Sequence, residues 1–263
     1  MESQTDETDE IERREKTDWW KLKGITSKTT FRLFQKYAVT KYVKHDKEAL
    51  QYNKDFQKAY GEKLLESHLQ LVLKRKTNFV GQNTLNFALK LVKESVRIDP
   101  LKEKLQPYFE TLLYEVVIPL MMMSNRDITQ FNDDPIEFIR SIFDFLESIF
   151  MPKNTTLELQ STLCKFKSDK KKGAKPDYLI PFLNFAADNM KQYNEQLAAG
   201  ANPDWRIKEA LLHSIGNISE TISFDKDIVS SIEPMLLTHV LPFLTCDNPY
   251  LKHRSCWVYG RFA

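Results

Sequence analysis

The chain has 263 residues, of which 42% are hydrophobic, and its formal net charge is +2. A chain of this length can bury a sizeable core, and its near-neutral charge argues against general attraction to nucleic acid. Only 7 glycines are present and the apolar residues recur every three or four positions, so we predict an all-α fold.

The sequence also indicates the cellular compartment of the protein. The first residues are acidic and polar, unlike a secretory signal peptide. The run without polar side chains at 116–123 is far shorter than the roughly 20 residues needed to cross a bilayer. Three cysteines form no paired framework, which suits a reducing compartment. We therefore expect a protein of the cytoplasm or nucleus with no membrane contact.

Residues 1–17 are predicted to be an acidic, disordered segment. Ile11 is an isolated aliphatic residue there, and residues 1–18 contain eight acidic and three basic side chains, a net charge of −5. Such a segment cannot bury enough apolar surface to fold. The ordered part is predicted to begin at Asp18-Trp19-Trp20 and to continue through residues 18–263 as one helical-repeat domain.

Helical spacing of apolar residues predicts a first helix around Phe31 and Phe34. Gly61 and Pro107 fall inside later predicted helices, and we expect them to weaken or split those helices. The later helices are predicted at 46–74, 79–96, 101–123, 136–149, 155–166 and 176–199.

Three dipeptides of Asp or Asn followed by Pro are predicted to open helices: Asp134-Pro135, Asn202-Pro203 and Asn248-Pro249. The Asp or Asn side chain can accept a hydrogen bond from an N–H of the first turn, and proline costs nothing at the first helical position. The two Asn-Pro pairs are 46 residues apart, within the range of about 40–47 residues typical of HEAT and armadillo repeats. We therefore predict a HEAT-repeat superhelix.

A base follows each dipeptide, six residues after its Asp or Asn. In HEAT repeats such pairs can form a ladder between neighbouring repeats, and each exposed rung contributes roughly 0–1 kcal/mol. Most of the stability must then come from stacked apolar faces. The predicted structural ladder residues are Asp134, Arg140, Asn202, Lys208, Asn248 and Arg254.

A proline between two apolar residues precedes two of these helix starts. Ile118-Pro119-Leu120 and Leu241-Pro242-Phe243 each lie near the predicted end of a helix. Since proline lacks the N–H and its ring clashes with the carbonyl four residues earlier, we expect it to bend or stop the helix there.

Residues 165–175 are predicted to be a basic loop between helices, with six lysines and one aspartate. One interpretation is a solvated loop, because charge runs usually face water. The other is contact with an acidic partner through Lys170, Lys171 and Lys172. Lysine supplies point charge but no base specificity, so no specific nucleic-acid partner is predicted.

No enzyme motif is found among the phosphate-binding, nucleophile-elbow and His-Glu-x-x-His patterns. His239, Cys246, His253 and Cys256 offer ligand types that suit zinc, but their spacings are not those of a familiar zinc finger. We therefore predict a protein that is not an enzyme, with no catalytic residue, no cofactor and no metal site.

Several segments in order resemble the central part of importin-β family receptors, within the branch of importins seven and eight and their fungal relatives. The resemblance covers about residues 19–263. The segments that carry it are Trp19-Trp20-Lys21, Arg32-Leu33-Phe34-Gln35-Lys36-Tyr37, Ile118-Pro119-Leu120, Asp134-Pro135-Ile136-Glu137-Phe138-Ile139-Arg140, Leu212-His213-Ser214-Ile215-Gly216, His239-Val240-Leu241-Pro242 and Cys256-Trp257.

This resemblance implies a HEAT solenoid that shuttles between cytoplasm and nucleus and carries protein cargo through the nuclear pore. It also implies Ran-GTP binding, through N-terminal repeats that precede the matching region, and binding to phenylalanine-glycine nucleoporins. Family members are several times longer, so the chain is expected to be a piece of such a solenoid. The alternative is a HEAT-repeat scaffold that assembles protein complexes without transport, and sensitivity to Ran-GTP separates the two.

Overall fold

A computed structural model describes residues 10–11, 13–42, 46–143, 151–169, 171 and 174–263. These residues contain helices and turns without a β-strand, so the predicted all-α class is confirmed, and the helical architecture is that of a HEAT-repeat fragment. The chain divides into two compact units. The first contains Met1–Leu112 and Ser124–Leu159, and the second contains Leu113–Met123 and Gln160–Ala263.

The α-helices are numbered in chain order as follows: α1 Asp18–Ala38, α2 Lys47–Phe56, α3 Glu62–Lys74, α4 Gln82–Ser95, α5 Asp99–Leu105, α6 Phe109–Thr111, α7 Ile118–Met121, α8 Asn125–Asp133, α9 Pro135–Phe143, α10 Pro152–Cys164, α11 Leu179–Ala198, α12 Trp205–Asn217, α13 Ser219–Ser223, α14 Lys226–Val229, α15 Ile232–Met235 and α16 Pro249–Phe262.

In the first unit, α1 packs against α4. The buried face of α1 includes Phe31 and Phe34, and the Phe31 ring lies 6.0 Å from the ring of Phe87 on α4. The predicted second helix at 46–74 is present as α2 and α3. The Asp46 side chain caps its start by accepting hydrogen bonds from the N–H groups of Glu48 and Ala49. A π-turn joins α2 to α3 and ends at Gly61, the residue expected to weaken the helix.

The prolines disturb their helices as predicted. Pro107 lies in a 3₁₀ turn that separates α5 from α6. Pro119 follows a π-turn at Leu112–Val117, and Pro242 follows a π-turn at Leu236–Val240. A proline N cannot donate to the carbonyl four residues earlier, and the helix widens by one residue just before both prolines.

In the second unit, α12 is the central element. Its residues from Lys208 to Gly216 are all buried, and it packs against α7, α11 and α16. The Trp257 ring of α16 lies over Gly216 so closely that a Cβ at Gly216 would be 2.3 Å from the nearest ring carbon. This glycine therefore allows α12 and α16 to approach each other.

The acidic segment differs in part from the prediction. Residues 1–9 and 12 lie outside the described residues, so disorder stays a prediction there. Residues 10, 11 and 13–15 are helical, and the Glu15 carboxylate accepts a hydrogen bond from the Gln82 N–H. The prediction of disorder is wrong for residues 10, 11 and 13–15. This part of the segment contacts a backbone N–H of α4 and lies near an aromatic ring in the loop before α4.

Candidate functional site

Two of the three predicted helix starts have the predicted geometry. Asp134 Oδ1 accepts from the N–H groups of Ile136 and Glu137 at 3.1 and 2.9 Å. Asn248 Oδ1 accepts from the N–H groups of Tyr250 and Leu251, both at 3.0 Å. These side chains therefore cap α9 and α16, and each following proline opens the helix.

The third start is wrong by two residues. Asp204, not Asn202, is the N-cap of α12, since its side chain accepts from the Arg206 N–H at 2.9 Å. Residues 201–204 are extended or irregular and Pro203 precedes the helix. The competing Asp204 was present in the sequence, and a carboxylate caps a helix as well as an amide does.

The three bases lie in different surroundings from those predicted for a ladder. Arg140 is exposed and reaches Glu137 on its own helix at 3.8 Å. Lys208 and Arg254 are buried and contact residues outside the predicted set. The predicted ladder pairs such bases with residues like Asn202 and Asn248. The observed contacts are different, and the side-chain oxygen of Asn248 is already used to cap its own helix.

Arg254 joins two helices across nearly one repeat length. Its Nε lies 2.7 Å from Glu209 Oε1, and the two residues are 45 positions apart, on α16 and α12. Their side chains are only 4% and 1% exposed, and the guanidinium also lies 5.0 Å from the Trp257 ring centroid. Arg254 therefore links α12 and α16 through Glu209, while its predicted role in a repeat ladder stays a prediction.

Lys208 contacts polar side chains and lies beside an aromatic cluster formed by the rings of Tyr193 and Phe243. Its Nζ is 3.0 Å from Asn194 Oδ1 and 3.3 Å from His239 Nδ1. The same ammonium group lies 4.7 Å from the Phe243 ring centroid. Burial lowers the pKa of Lys208 to about 7. Burial, with a smaller contribution from the Lys208 charge, lowers the pKa of His239 to about 4.

Sequence reasoning missed Glu209, Asn194 and His239 as partners. Glu209 carried a usable signal, since it precedes Arg254 by nearly the repeat length of 46 residues. Asn194 and His239 carried none, because their positions depend on how α11 and the π-turn pack around α12.

The predicted basic loop is irregular in its described residues. Lys170 and Lys172 lie outside the described residues, and Lys171 is exposed and 3.7 Å from Asp169. Asp169 also accepts from the backbone N–H of Lys171. The loop ends in an ion pair between Lys175 and Asp227 of α14.

A groove of about 490 Å³ lies beside this loop in the second unit. Lys165, Lys167 and Lys175 line it. Phe224, which is 86% exposed, also lines the groove, as do several acidic residues. The groove can therefore offer both cationic side chains and an exposed aromatic ring to a protein partner.

Neither a membrane segment nor a metal cluster emerges from the described part of the chain. No helix there is both long and apolar enough to span a bilayer. No three of its His, Cys, Asp and Glu residues are grouped to hold a metal ion. His239 instead contacts Lys208, and Cys246 Sγ contacts the carbonyl of Asn248 at 3.4 Å.

Comparison with known proteins gives relatives along nearly the whole chain. An importin beta-like SAD2 homolog of Arabidopsis thaliana is 28% identical over 253 residues, which is 96% of this chain and 24% of the relative. Importin-8 of Danio rerio is 26% identical over 99% of this chain and 24% of the relative. The chain is thus similar to importins along nearly its whole length.

Another relative is a probable importin-7 homolog of Dictyostelium discoideum, 26% identical over 94% of the chain and 23% of the relative. The chain spans about a quarter of the length of the relatives it matches. No protein-family model and no solved structure matched it.

Proposed function

We propose that the chain is part of a nuclear transport receptor that carries protein cargo through the nuclear pore under the control of Ran-GTP. The observation that carries this proposal is the similarity to importins over as much as 99% of the chain. Under this proposal the chain works by binding alone, without catalysis or a cofactor. The parent protein shuttles between cytoplasm and nucleus and also binds phenylalanine-glycine nucleoporins.

The chain's own contribution is a helical surface for partners. Helical-repeat proteins bind along extended surfaces, and the basic loop offers Lys170, Lys171 and Lys172 to an acidic part of a cargo. Lys165 and Lys167, which line the groove, add to the positive charge of this loop. Ran-GTP acts through repeats of the longer protein that lie outside this chain.

The test is a pull-down from cell extract with this chain and with the longer native protein. Each is run with and without Ran locked in its GTP state. Transport predicts partners that Ran-GTP releases from the longer form and not from this chain alone. Partners that ignore Ran-GTP in both forms contradict transport and favour a HEAT-repeat scaffold.

The loop is tested separately by replacing Lys170, Lys171 and Lys172 with Glu. We expect acidic partners to bind more weakly, most clearly at low salt, because exposed charges interact over about 10 Å at 0.1 M ionic strength. The matched control replaces three exposed lysines of the first unit with Glu and is expected to bind as the wild type does. An unchanged affinity for every partner would show that the loop is only solvated. The control lysines are Lys54, Lys58 and Lys63.

A further inference from the structure

The acidic segment is anchored to the loop before α4 and to the first turn of that helix. Glu15 Oε1 accepts from the backbone N–H of Gln82, the first residue of α4, at 2.5 Å. One residue earlier, the Arg14 guanidinium lies 5.7 Å from the Phe79 ring centroid. Trp20 of α1 packs edge-on against the same ring, with the centroids 5.0 Å apart. The segment therefore reaches α4 through a carboxylate.

The first turn of α4 suits a negative charge. The helix has 14 residues and its N-cap, Gly81, supplies no capping side chain. The N–H groups of a first turn lack partners within the helix, and the helix dipole favours an anion there. A Cβ on Gly81 would lie 3.2 Å from the Trp20 ring and 3.7 Å from Glu15 Oε1. The bare glycine thus leaves room for a carboxylate beside the indole.

This turn borders a groove of about 360 Å³ between α1 and α4. Lys21 and Lys28 of α1 line it, and so does the Trp20 ring. The two ammonium groups add positive charge to that of the helix end. Glu15 also lines the groove, whose volume lies beyond the atoms of this side chain.

A second observation points to a ligand in this groove. Thr84 also lines it, and this residue is only 2% exposed. Its Oγ1 has no hydrogen-bond partner among the described residues. A buried hydroxyl without a partner is costly, and the Thr84 hydroxyl can donate to a carboxylate oxygen held at this turn.

We propose that this groove binds a carboxylate side chain from an acidic segment of a partner protein, and that Glu15 is its internal competitor. The N–H groups at the start of α4 and the Thr84 hydroxyl hold the carboxylate, while Lys21 and Lys28 attract the acidic chain. Glu15 occupies the Gln82 N–H until a partner with a higher local density of carboxylates displaces it. The site is independent of Ran-GTP and of the transport proposal.

The test measures binding of a short poly-glutamate peptide by NMR, with the Gln82 amide as the reporter. Wild type is compared with Glu15→Ala. Removing an internal occupant that fills a site about nine-tenths of the time should tighten external binding roughly tenfold. Glu48→Gln is the control, because it removes an exposed carboxylate from α2 in the same unit, and its affinity should equal that of the wild type.

Thr84→Val, made together with Glu15→Ala, tests the contact of the Thr84 hydroxyl with the carboxylate. Valine has the shape of threonine without the hydroxyl, so we expect the fold to be kept. We expect poly-glutamate to bind this double variant several-fold more weakly than it binds Glu15→Ala. Equal affinity of wild type and Glu15→Ala for poly-glutamate would overturn the proposal. So would an equal response of the Gln82 amide to poly-glutamine, or to inorganic phosphate at the same concentration, since the site would then not select an acidic protein segment.

Discussion

Replacing Lys208 with methionine should stabilise the protein near neutral pH. Lys208 is 0% exposed, and its Nζ contacts neutral groups: the Asn194 amide oxygen and the His239 ring, with the Phe243 ring nearby. Burying an ammonium group without a carboxylate is costly. Methionine has a similar length and no charge, so it removes this cost and keeps most of the packing.

The magnitude follows from the pKa of Lys208, which burial lowers from 10.5 to about 7. Each pKa unit corresponds to about 1.4 kcal/mol, so the cost at pH 7 is at most about 5 kcal/mol. The lost contact with the Phe243 ring offsets up to about 2 kcal/mol, and a lost hydrogen bond offsets about 1 kcal/mol. We therefore expect Lys208→Met to raise the free energy of unfolding by about 1–3 kcal/mol at pH 7.

The sign of the pH dependence is fixed by the lowered pKa. Between pH 7 and pH 10.5 the unfolded chain binds a proton at Lys208 that the folded chain does not bind. The contribution of Lys208 to the stability of the wild type therefore rises with pH in this window. The advantage of Lys208→Met should shrink by about 1.4 kcal/mol per pH unit. Tyr193, on α11 beside the same cluster, has a pKa raised by burial and remains protonated through most of the window.

The assay is urea unfolding of wild type and Lys208→Met at several values between pH 7 and pH 9.5. Subtracting the two curves removes the titration of all other groups. Lys252→Met is the control, because Lys252 is exposed on α16, and its difference from the wild type should be small and independent of pH. A Lys208→Met variant that is less stable than the wild type by the same amount at every pH would refute the reasoning.

Two further predictions concern the contact between α12 and α16. Gly216→Ala should destabilise the protein by about 1–3 kcal/mol, because its Cβ would collide with the Trp257 ring, and Trp257→Leu in the same chain should recover part of this loss in thermal unfolding. Arg254→Met should cost about 3–5 kcal/mol by leaving the Glu209 carboxylate buried without its cation. Adding Glu209→Met should restore most of that stability, and a double variant as unstable as Arg254→Met would contradict this account of the pair.

The sequence predicted those features that depend on neighbouring residues. Helix capping by Asp134 and Asn248 requires only the residues of one turn, and the disruption before Pro119 follows from the missing N–H of proline. The prediction at Asn202 was wrong because Asp204 offers a second cap two residues later. Local patterns do not decide between two such caps, since the choice depends on where α12 must begin to pack against α11 and α16.

The environment of Lys208 could not be predicted, because it depends on three separate parts of the second unit. The sixth residue after an Asn or Asp cap was expected to be a solvent-accessible base in a ladder. Beginning α12 at Trp205 instead of Pro203 makes Lys208 the fourth residue of the helix instead of the sixth, so a rotation of about 200°, two residues at about 100° each, separates the predicted direction of its side chain from the observed one. That rotation directs the ammonium group into the aromatic cluster, whereas Arg254, whose helix begins where predicted, reaches a carboxylate.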